Sequence, residues 1–456
     1  MGVEKAKSTI NDMTSGKPAK LILQFMIPVF LGNVFQQFYN IADSIIAGQF
    51  IGVTALAAIG STGSLMFFVT GWLNGLSSGF AILVSQWFGA KQYDRMRHYV
   101  AMSVYLASGC AVLMTAGLLF ANEPILQMMN YSADIMPDVK HYMGIIYAGL
   151  IVTAAYNSLA AFLRALGDSK SPLYFLIISA VINVALDIVF IVVFGMGVEG
   201  CAYATVIAQA ISALLCFVYI VKKFPILHLT KNDWKISLQS FGHLLALGIP
   251  MGLQFSITAI GTIIVQGAVN VYGETYMAGF SAAGKLQNMI MTVFVAFGAT
   301  VATYVGQNRG AGRMDRVKSG VRCTQIMILV WSVIAMAAVY FGGKYMTWLF
   351  ISPSETDVVN VSVLYFRTVF WCYPFLGSIF LYRNTLQGMG YGLVPMLGGV
   401  FELAARSAIV MVVAGRTTFQ GVCLADPAAW IAALIPLVPY YLYTMRKWEK
   451  REVTTV

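Results

Sequence analysis

The chain has 456 residues, of which 59% are apolar and only 11% charged, against about 25% charged in an ordinary soluble domain, and its mean hydropathy is +0.75. These figures exclude a water-soluble globular protein and leave no room for a large soluble domain. The formal charge of +10 is compatible at this point with nucleic acid, anionic lipid or membrane topology.

A spanning helix takes about 20 mostly apolar residues. The first 20 residues are polar and carry Lys5, Lys7, Lys17 and Lys20. They contain no short apolar stretch ending at a small-residue cleavage site, so the first span is expected to be an uncleaved helix. Apolar runs follow at 20–46, 55–82, 96–119, 138–160, 172–194, 198–221, 241–269, 276–303, 317–341, 360–386, 394–415 and 427–447, separated by Gly-, Pro- or charge-marked breaks. The pattern predicts an all-α integral membrane protein with twelve transmembrane helices. Of the 29 Lys and Arg residues, 23 fall on the side of the two termini, three (Lys140, Lys344 and Arg416) on the other, and Lys285, Arg367 and Arg406 within apolar runs. The positive-inside rule then puts both termini in the cytoplasm of a plasma-membrane protein. Orientation accounts for the basic excess, and no basic domain is left for nucleic acid. The six cysteines have no CxxC spacing and read as core thiols; His98, His141, His228 and His243 have no metal-ligand spacing.

Polar residues interrupt this pattern at particular places. In the first span Asn33, Gln36, Gln37, Asn40, Asp43 and Ser44 form a stripe along one helix face, and Pro28, fifteen residues before Asp43, removes a backbone donor and allows a bend. Asn157 lies in the fourth span, Asn183 and Asp187 share a face of the fifth, and Thr205 and Gln209 sit one turn apart in the sixth. A carboxylate at bilayer depth costs at least about 2.5–3.5 kcal/mol, so it faces water, carries a proton or binds a cation. No Lys or Arg within the spans of the first half is available to neutralise Asp43 or Asp187. The cluster suits a proton site or a hard cation such as sodium; the alternative for its neutral members is an interhelical hydrogen bond. Gln36, Gln37, Asn40, Phe38, Gln254, Phe255 and Met289 would make an adaptable wall for hydrophobic ligands.

The two halves of the chain repeat. A shift of 221 takes Thr54, Ala57, Gly63 and Leu65 to Thr275, Ala278, Gly284 and Leu286, and Gln86, Gly89, Ala90, Asp94 and Arg95 to Gln307, Gly310, Ala311, Asp315 and Arg316. Pro28 pairs with Pro250 at 222 and Pro172 with Pro395 at 223. Two parallel-repeat six-helix bundles follow, 1–230 including a basic cytoplasmic linker and 231–456, with a cavity between two lobes that opens to either side. Asp43 maps onto Val265, in a neutral seventh-span stripe of Gln254, Thr258 and Thr262. Glu402 and Arg406, at an offset of 219 from Asn183 and Asp187, can neutralise each other. Lys285 is expected to face the cavity or reach Glu402.

The stretch from Gln36 to Ser44, followed by Gly52 and Ala55-Leu56-Ala57-Ala58, resembles the first helix and loop of multidrug and toxic compound extrusion (MATE) transporters. Arg164 to Pro172 resembles the loop before their fifth helix, and Gln387-Gly388-Met389-Gly390 its counterpart in the second half. The resemblance covers essentially the whole chain and points to the DinF-like branch. It implies a cation site in the amino-terminal lobe at Asp43, Asn157, Asn183, Asp187 and Thr205; Tyr142 matches a fourth-helix tyrosine and is expected to line the substrate cavity. Asp43, Asn183, Asp187 and Thr205 would be the metal ligands if sodium is the ion. It further implies antiport in which H+ or Na+ entry drives export of hydrophobic, often cationic compounds, with rearrangement of the first helix near Pro28. No cofactor and no enzymatic activity are expected, and the protein is expected to act as a monomer. A lipid-linked precursor or polysaccharide flippase of the same superfamily is the competing reading, for which only Lys285 and Arg367 would be available to grip pyrophosphate. A membrane enzyme is disfavoured because no GxSxG or GxGxxG motif opens a helix.

Overall fold

A computed structural model describes residues 12–129, 131, 134–413 and 418–454; Lys5, Lys7 and Arg416 lie outside the described residues. Among the described residues there are helices and no strands, as expected where each backbone polar group must be satisfied within its own segment. Eleven helices are long and apolar enough to cross a membrane, and a bent pair makes a twelfth crossing. In chain order the spans are span 1, Pro18–Phe50; span 2, Val53–Ser61 and Gly63–Gly89; span 3, Tyr93–Met128; span 4, Met136–Ala148 and Leu150–Ala165; span 5, Lys170–Ile188; and span 6, Val198–Lys223. The second half follows as span 7, Leu238–Asn270; span 8, Glu274–Gly310; span 9, Met314–Thr347; span 10, Thr356–Val369 and Tyr373–Gly388; span 11, Leu393–Val413; and span 12, Phe419–Cys423 and Ala425–Thr454.

The helices outrun their apolar runs. Span 3 has 36 residues, about 54 Å at 1.5 Å per residue, against a hydrocarbon core of about 30 Å. Its ends carry the charged residues Asp94, Arg95, Arg97 and Glu123, which suit the headgroup region. The breaks have local causes. Span 4 bends by 49° at Gly149, where an added Cβ would lie 2.5 Å from a Val206 methyl of span 6. Span 10 passes through a short 3-10 turn, Phe370–Cys372, just before Pro374. Span 5 ends in a π-helical turn, Val189–Val193. Ahead of span 5, Asp168 caps the helix: Oδ1 accepts the N–H groups of Lys170 (3.1 Å) and Ser171 (3.0 Å), and Oδ2 accepts the Ser171 hydroxyl (2.6 Å).

The repeat extends to backbone conformation. Left-handed residues recur at Gly52 and Gly273, at Lys91 and Gly312, and at Gly167 and Gly390, the first two pairs 221 residues apart and the third 223. Lys91, with φ 56°, performs with a Cβ what its counterpart does without one.

Packing separates two compact units, one built on Ile27–Gly252 and the other on Thr14–Met26 with Leu253–Val456. Spans 1 and 7 therefore each change unit midway, beside Pro28 and Pro250, where the helix has lost a backbone hydrogen bond. Within the first unit the near half of span 7 is held by two devices. Gly75 and Gly79 of span 2 meet Gly248 and Gly252 of span 7. A Cβ on Gly75 would lie 2.6 Å from the Met251 carbonyl, and one on Gly79 would lie 2.7 Å from the Gly248 Cα. Two i, i+4 glycine pairs thus let the backbones touch, the small-residue contact that replaces hydrophobic driving force in lipid. At the end of the same half-helix, His98 Nδ1 donates to the Asp233 carbonyl (3.1 Å), its Nε2 lies 3.1 Å from the Ser240 hydroxyl, and the Tyr99 hydroxyl lies 2.8 Å from His243 Nδ1. Burial pushes the Asp233 carboxyl up. The Thr230 N–H (2.7 Å) and hydroxyl (2.8 Å) and the Arg97 guanidinium (3.3 Å) outweigh it and hold the group below its ordinary value.

Gly79→Ala is expected to lower the melting temperature, because overpacking against backbone costs about 1–3 kcal/mol. Gly109→Ala on span 3, where an added Cβ meets nothing within 4 Å, should be neutral or stabilising, and equal melting of the two variants in detergent would contradict the glycine crossing. Lys91→Gly should raise the melting temperature by relieving about 1–2 kcal/mol of left-handed strain, as read in the same thermal assay.

Candidate functional site

Four spans of the first unit deliver one polar cluster. Span 1 contributes Asp43 and, one turn earlier, Tyr39; span 5 contributes Asn183 and Asp187, one turn apart and directly ahead of the π turn; span 6 contributes Thr205; and span 4 contributes Tyr142. The Asp43 carboxyl adjoins the Asp187 carboxyl and the Thr205 hydroxyl, and Tyr39, Tyr142 and Cys201 border the acid pair. Asn183 and Asp187 are each 0% exposed. The surroundings are apolar: Ile46, Ala47, Val69, Ile146 and Ala202 belong to the same core cluster as Tyr142 and Cys201.

The cluster is short of partners. Among the described residues, Tyr39 Oη, Asp43 Oδ1, both side-chain polar atoms of Asn183, both Asp187 oxygens and Thr205 Oγ1 are buried without a hydrogen bond. No Lys, Arg or His forms an ion pair with Asp43 or Asp187 there. Buried polar groups are ordinarily satisfied, and leaving one unmade costs about 1–3 kcal/mol, more for a charge. What the arrangement offers is a set of hard oxygen donors with up to two negative charges, suited to a proton or an alkali cation. A π turn beside it matches the frequent placement of such turns at functional sites.

The other residues singled out by sequence are distributed over both units. Asn157 is half-buried in span 4. Gln209 accepts the Thr153 hydroxyl at 2.6 Å, an interhelical tie between spans 6 and 4. Along span 1, Gln36 is half-buried, Gln37 and Asn40 are exposed and Pro28 is buried. In the second unit, Gln254 accepts a hydrogen bond from Gln387 Nε2 at 3.0 Å, Met289 is exposed, and Lys285 is exposed with its ammonium 5.4 Å from the Phe350 ring centroid. Lys285 does not reach Glu402.

Glu402 instead sits in a buried network. Its Oε1 takes Arg406 Nη1 at 3.2 Å and its Oε2 takes Arg383 Nη2 at 3.1 Å; Arg406 Nε donates to Asp426 Oδ1 at 3.2 Å, and Asp426 Oδ2 accepts the Tyr365 hydroxyl at 2.8 Å. Two carboxylates and two guanidinium groups cancel. The offset of 219 expected for this pair also changes. Span 5 runs without a break from Lys170 to Ile188 and span 11 from Leu393 to Val413, so the register of 223 set by Pro172 and Pro395 carries through. Asn183 then matches Arg406, Asp187 matches Val410, and Ser179 matches Glu402. A slip of four residues is one helical turn and keeps the same face, which is why pattern alone does not resolve it.

Sequence reasoning missed Tyr39, Arg383 and Asp426. Tyr39 lies within the recognised motif, one turn from Asp43. Arg383 and Asp426 lie at the edges of apolar runs, where a charge reads as a loop residue.

Comparison with known proteins places these observations in context. The MatE family model matches residues 28–189 and again 250–411, so the repeat is recognised as two copies. A probable multidrug resistance protein of Bacillus subtilis (strain 168), YpnP, is 31% identical over 383 residues, 83% of this chain and 84% of that protein. A second from the same organism, YoeA, is 27% identical over 441 residues, 94% of each chain. A solved structure described as an outward-facing multidrug resistance MATE family transporter of the MOP superfamily is 20% identical, covers 98% of each chain and superposes with a TM-score of 0.88, a likeness of fold.

Charge compensation distinguishes the two acidic sites and predicts opposite stability effects. Asp187→Asn removes an unpaired buried carboxyl and is expected to raise the melting temperature. Glu402→Gln leaves a guanidinium unpaired and is expected to destabilise by about 3–5 kcal/mol. Thermal unfolding in detergent measures both, and a loss of stability in Asp187→Asn as large as in Glu402→Gln would count against the distinction.

Proposed function

Because this chain belongs to the MATE family of multidrug efflux transporters, we propose that it exports hydrophobic, often cationic compounds by antiport against H+ or Na+, with the coupling ion held at Asp43, Asp187, Asn183 and Thr205. The observation that carries the reading is the buried, unpaired acid pair. Two carboxyls in a low-dielectric site repel each other and lack solvent, so binding a proton or sodium there releases free energy that an uncharged cluster would not supply. Asn183 and Thr205 add neutral oxygens of the type that sodium prefers, and Asn157 completes the set on span 4. Tyr142 and Tyr39 close the site.

Coupling requires that occupancy change the shape of the protein, which means that the ion must bind two conformations unequally. Asp43 and Pro28 lie on the same helix. Drawing Asp43 toward Asp187 through a shared cation, or releasing it when the pair is charged, pulls on a helix that lacks a backbone bond near Pro28. Gln36, Gln37 and Asn40 lie between these two points on span 1 and are the substrate contacts of the first unit, so movement of span 1 alters them; Gln254, Lys285 and Met289 are those of the second. Residues 1–230 and 231–456 act as the two lobes of an alternating-access cycle. Both termini are cytoplasmic, in agreement with the distribution of Lys and Arg.

Reconstitution into proteoliposomes tests the reading. Drug efflux driven by an imposed gradient should be lost in Asp43→Asn while the variant remains folded and membrane-inserted, and near-normal transport would remove Asp43 from the coupling site. An H+ gradient alone and an Na+ gradient alone, each applied without the other, identify the ion.

A further inference from the structure

The second unit carries an ionic cluster framed by repeat counterparts of residues that frame the acid pair of the first, although its acids Glu402 and Asp426 stand at the repeat positions of Ser179 and Ala204. Tyr142 and Tyr365 correspond at an offset of 223, and Cys201 and Cys423 at 222. In the first unit Tyr142 and Cys201 border Asp43 and Asp187. In the second, Tyr365 donates its hydroxyl to Asp426 at 2.8 Å and Cys423 borders the same carboxylate. The framing residues are thus retained while the charged contents differ. Arg406 takes the register position of Asn183, at 223, and Gly261 that of Tyr39, at 222.

Space and charge agree with this correspondence. A Cβ on Gly261 would lie 3.0 Å from Arg406 Nη1 and 3.4 Å from its Cδ, so the guanidinium rests against a helix surface bared by glycine where the first unit carries a tyrosine. It bridges Glu402 and Asp426, with Arg383 balancing the second charge. Each Asp426 oxygen is bonded, whereas both Asp187 oxygens are not.

We propose that Arg406 is a tethered cation: its guanidinium permanently fills the space between Glu402 and Asp426 beside Tyr365 and Cys423, and removing it leaves a binding site for a small planar cation of the guanidinium class. The second unit then has no exchangeable ion, and ion exchange is confined to the first. If the helices instead close over the vacated space, no such site remains.

Chemical rescue distinguishes the two. Arg406→Ala orphans Asp426 and is expected to melt well below the wild type, and low-millimolar guanidinium chloride should restore much of the loss in a saturable manner. Choline chloride at the same concentration should not, and the wild type should show no gain. No recovery, or equal recovery with choline, would overturn the proposal. If Arg406→Ala folds poorly, Arg406→Ala/Asp426→Asn keeps the test decisive, since it removes the orphaned charge and leaves the Arg383–Glu402 pair intact. It should melt higher than the single variant and lose the response to guanidinium, and a double variant that is no more stable than the single would also refute the assignment. The readout is thermal stability without any ion gradient, so its failure is separable from failure of the coupling site in the first unit.

Discussion

The low dielectric of a membrane interior makes an uncompensated charge the most expensive feature a helix bundle can contain, and two carboxyls facing each other raise the cost further. Asp43 and Asp187 are such a pair, buried, bordered by Tyr39, Tyr142 and Thr205 and without a cation partner among the described residues. The rest of the first unit can be understood from this constraint. The apolar cluster around Ile46, Val69 and Ile146 excludes water from the acids. The π turn after Ile188 and the cap at Asp168 fix the two ends of the helix that carries Asp187.

The second unit handles the same problem in the opposite way. Glu402 is buried and Asp426 half-buried, and each has a guanidinium within 3.2 Å. Breaking a buried, fully paired network is strongly destabilising, while an unpaired acid is a standing free-energy cost that a bound ion removes. A duplicated fold thereby holds one unpaired acid pair and one paired network, and their charged residues stand at different repeat positions: Asp43 and Asp187 against Val265 and Val410, and Glu402 and Arg406 against Ser179 and Asn183. Spans 1 and 7 change unit beside Pro28 and Pro250, and the crossing of Gly75 and Gly79 with Gly248 and Gly252 holds one half of span 7 in place.

Much of this was legible in the residues. Twelve spans, the parallel repeat and the isolation of Asp43, Asn183, Asp187 and Thr205 follow from hydropathy, register and the lack of a neutralising cation. Gln209 shows the limit: its polarity was visible, but not that Thr153 satisfies it. Arg383 and Asp426 show another, because a charge at the edge of an apolar run looks like a loop residue until neighbouring helices are seen to bury it. Asn183 and Asp187 match the second half at 223 and not at 219, a difference of one helical turn that preserves the face, and only the unbroken helices from Pro172 and Pro395 set the register.

The amino-acid sequence by itself determined the solvent of this protein, its span count, its duplication and which acids had no partner within their own half. These depend on composition and on spacing along the chain, which need no third dimension. The tertiary structure decided which polar groups are satisfied, that Tyr39 and Tyr142 border the acid pair, that Glu402 is held by two arginines rather than by Lys285, and where glycine is required by contact. Those outcomes depend on distances between helices remote in sequence, and in lipid, where apolar surfaces attract one another no more than they attract solvent, side-chain fit and hydrogen bonding determine which helices meet.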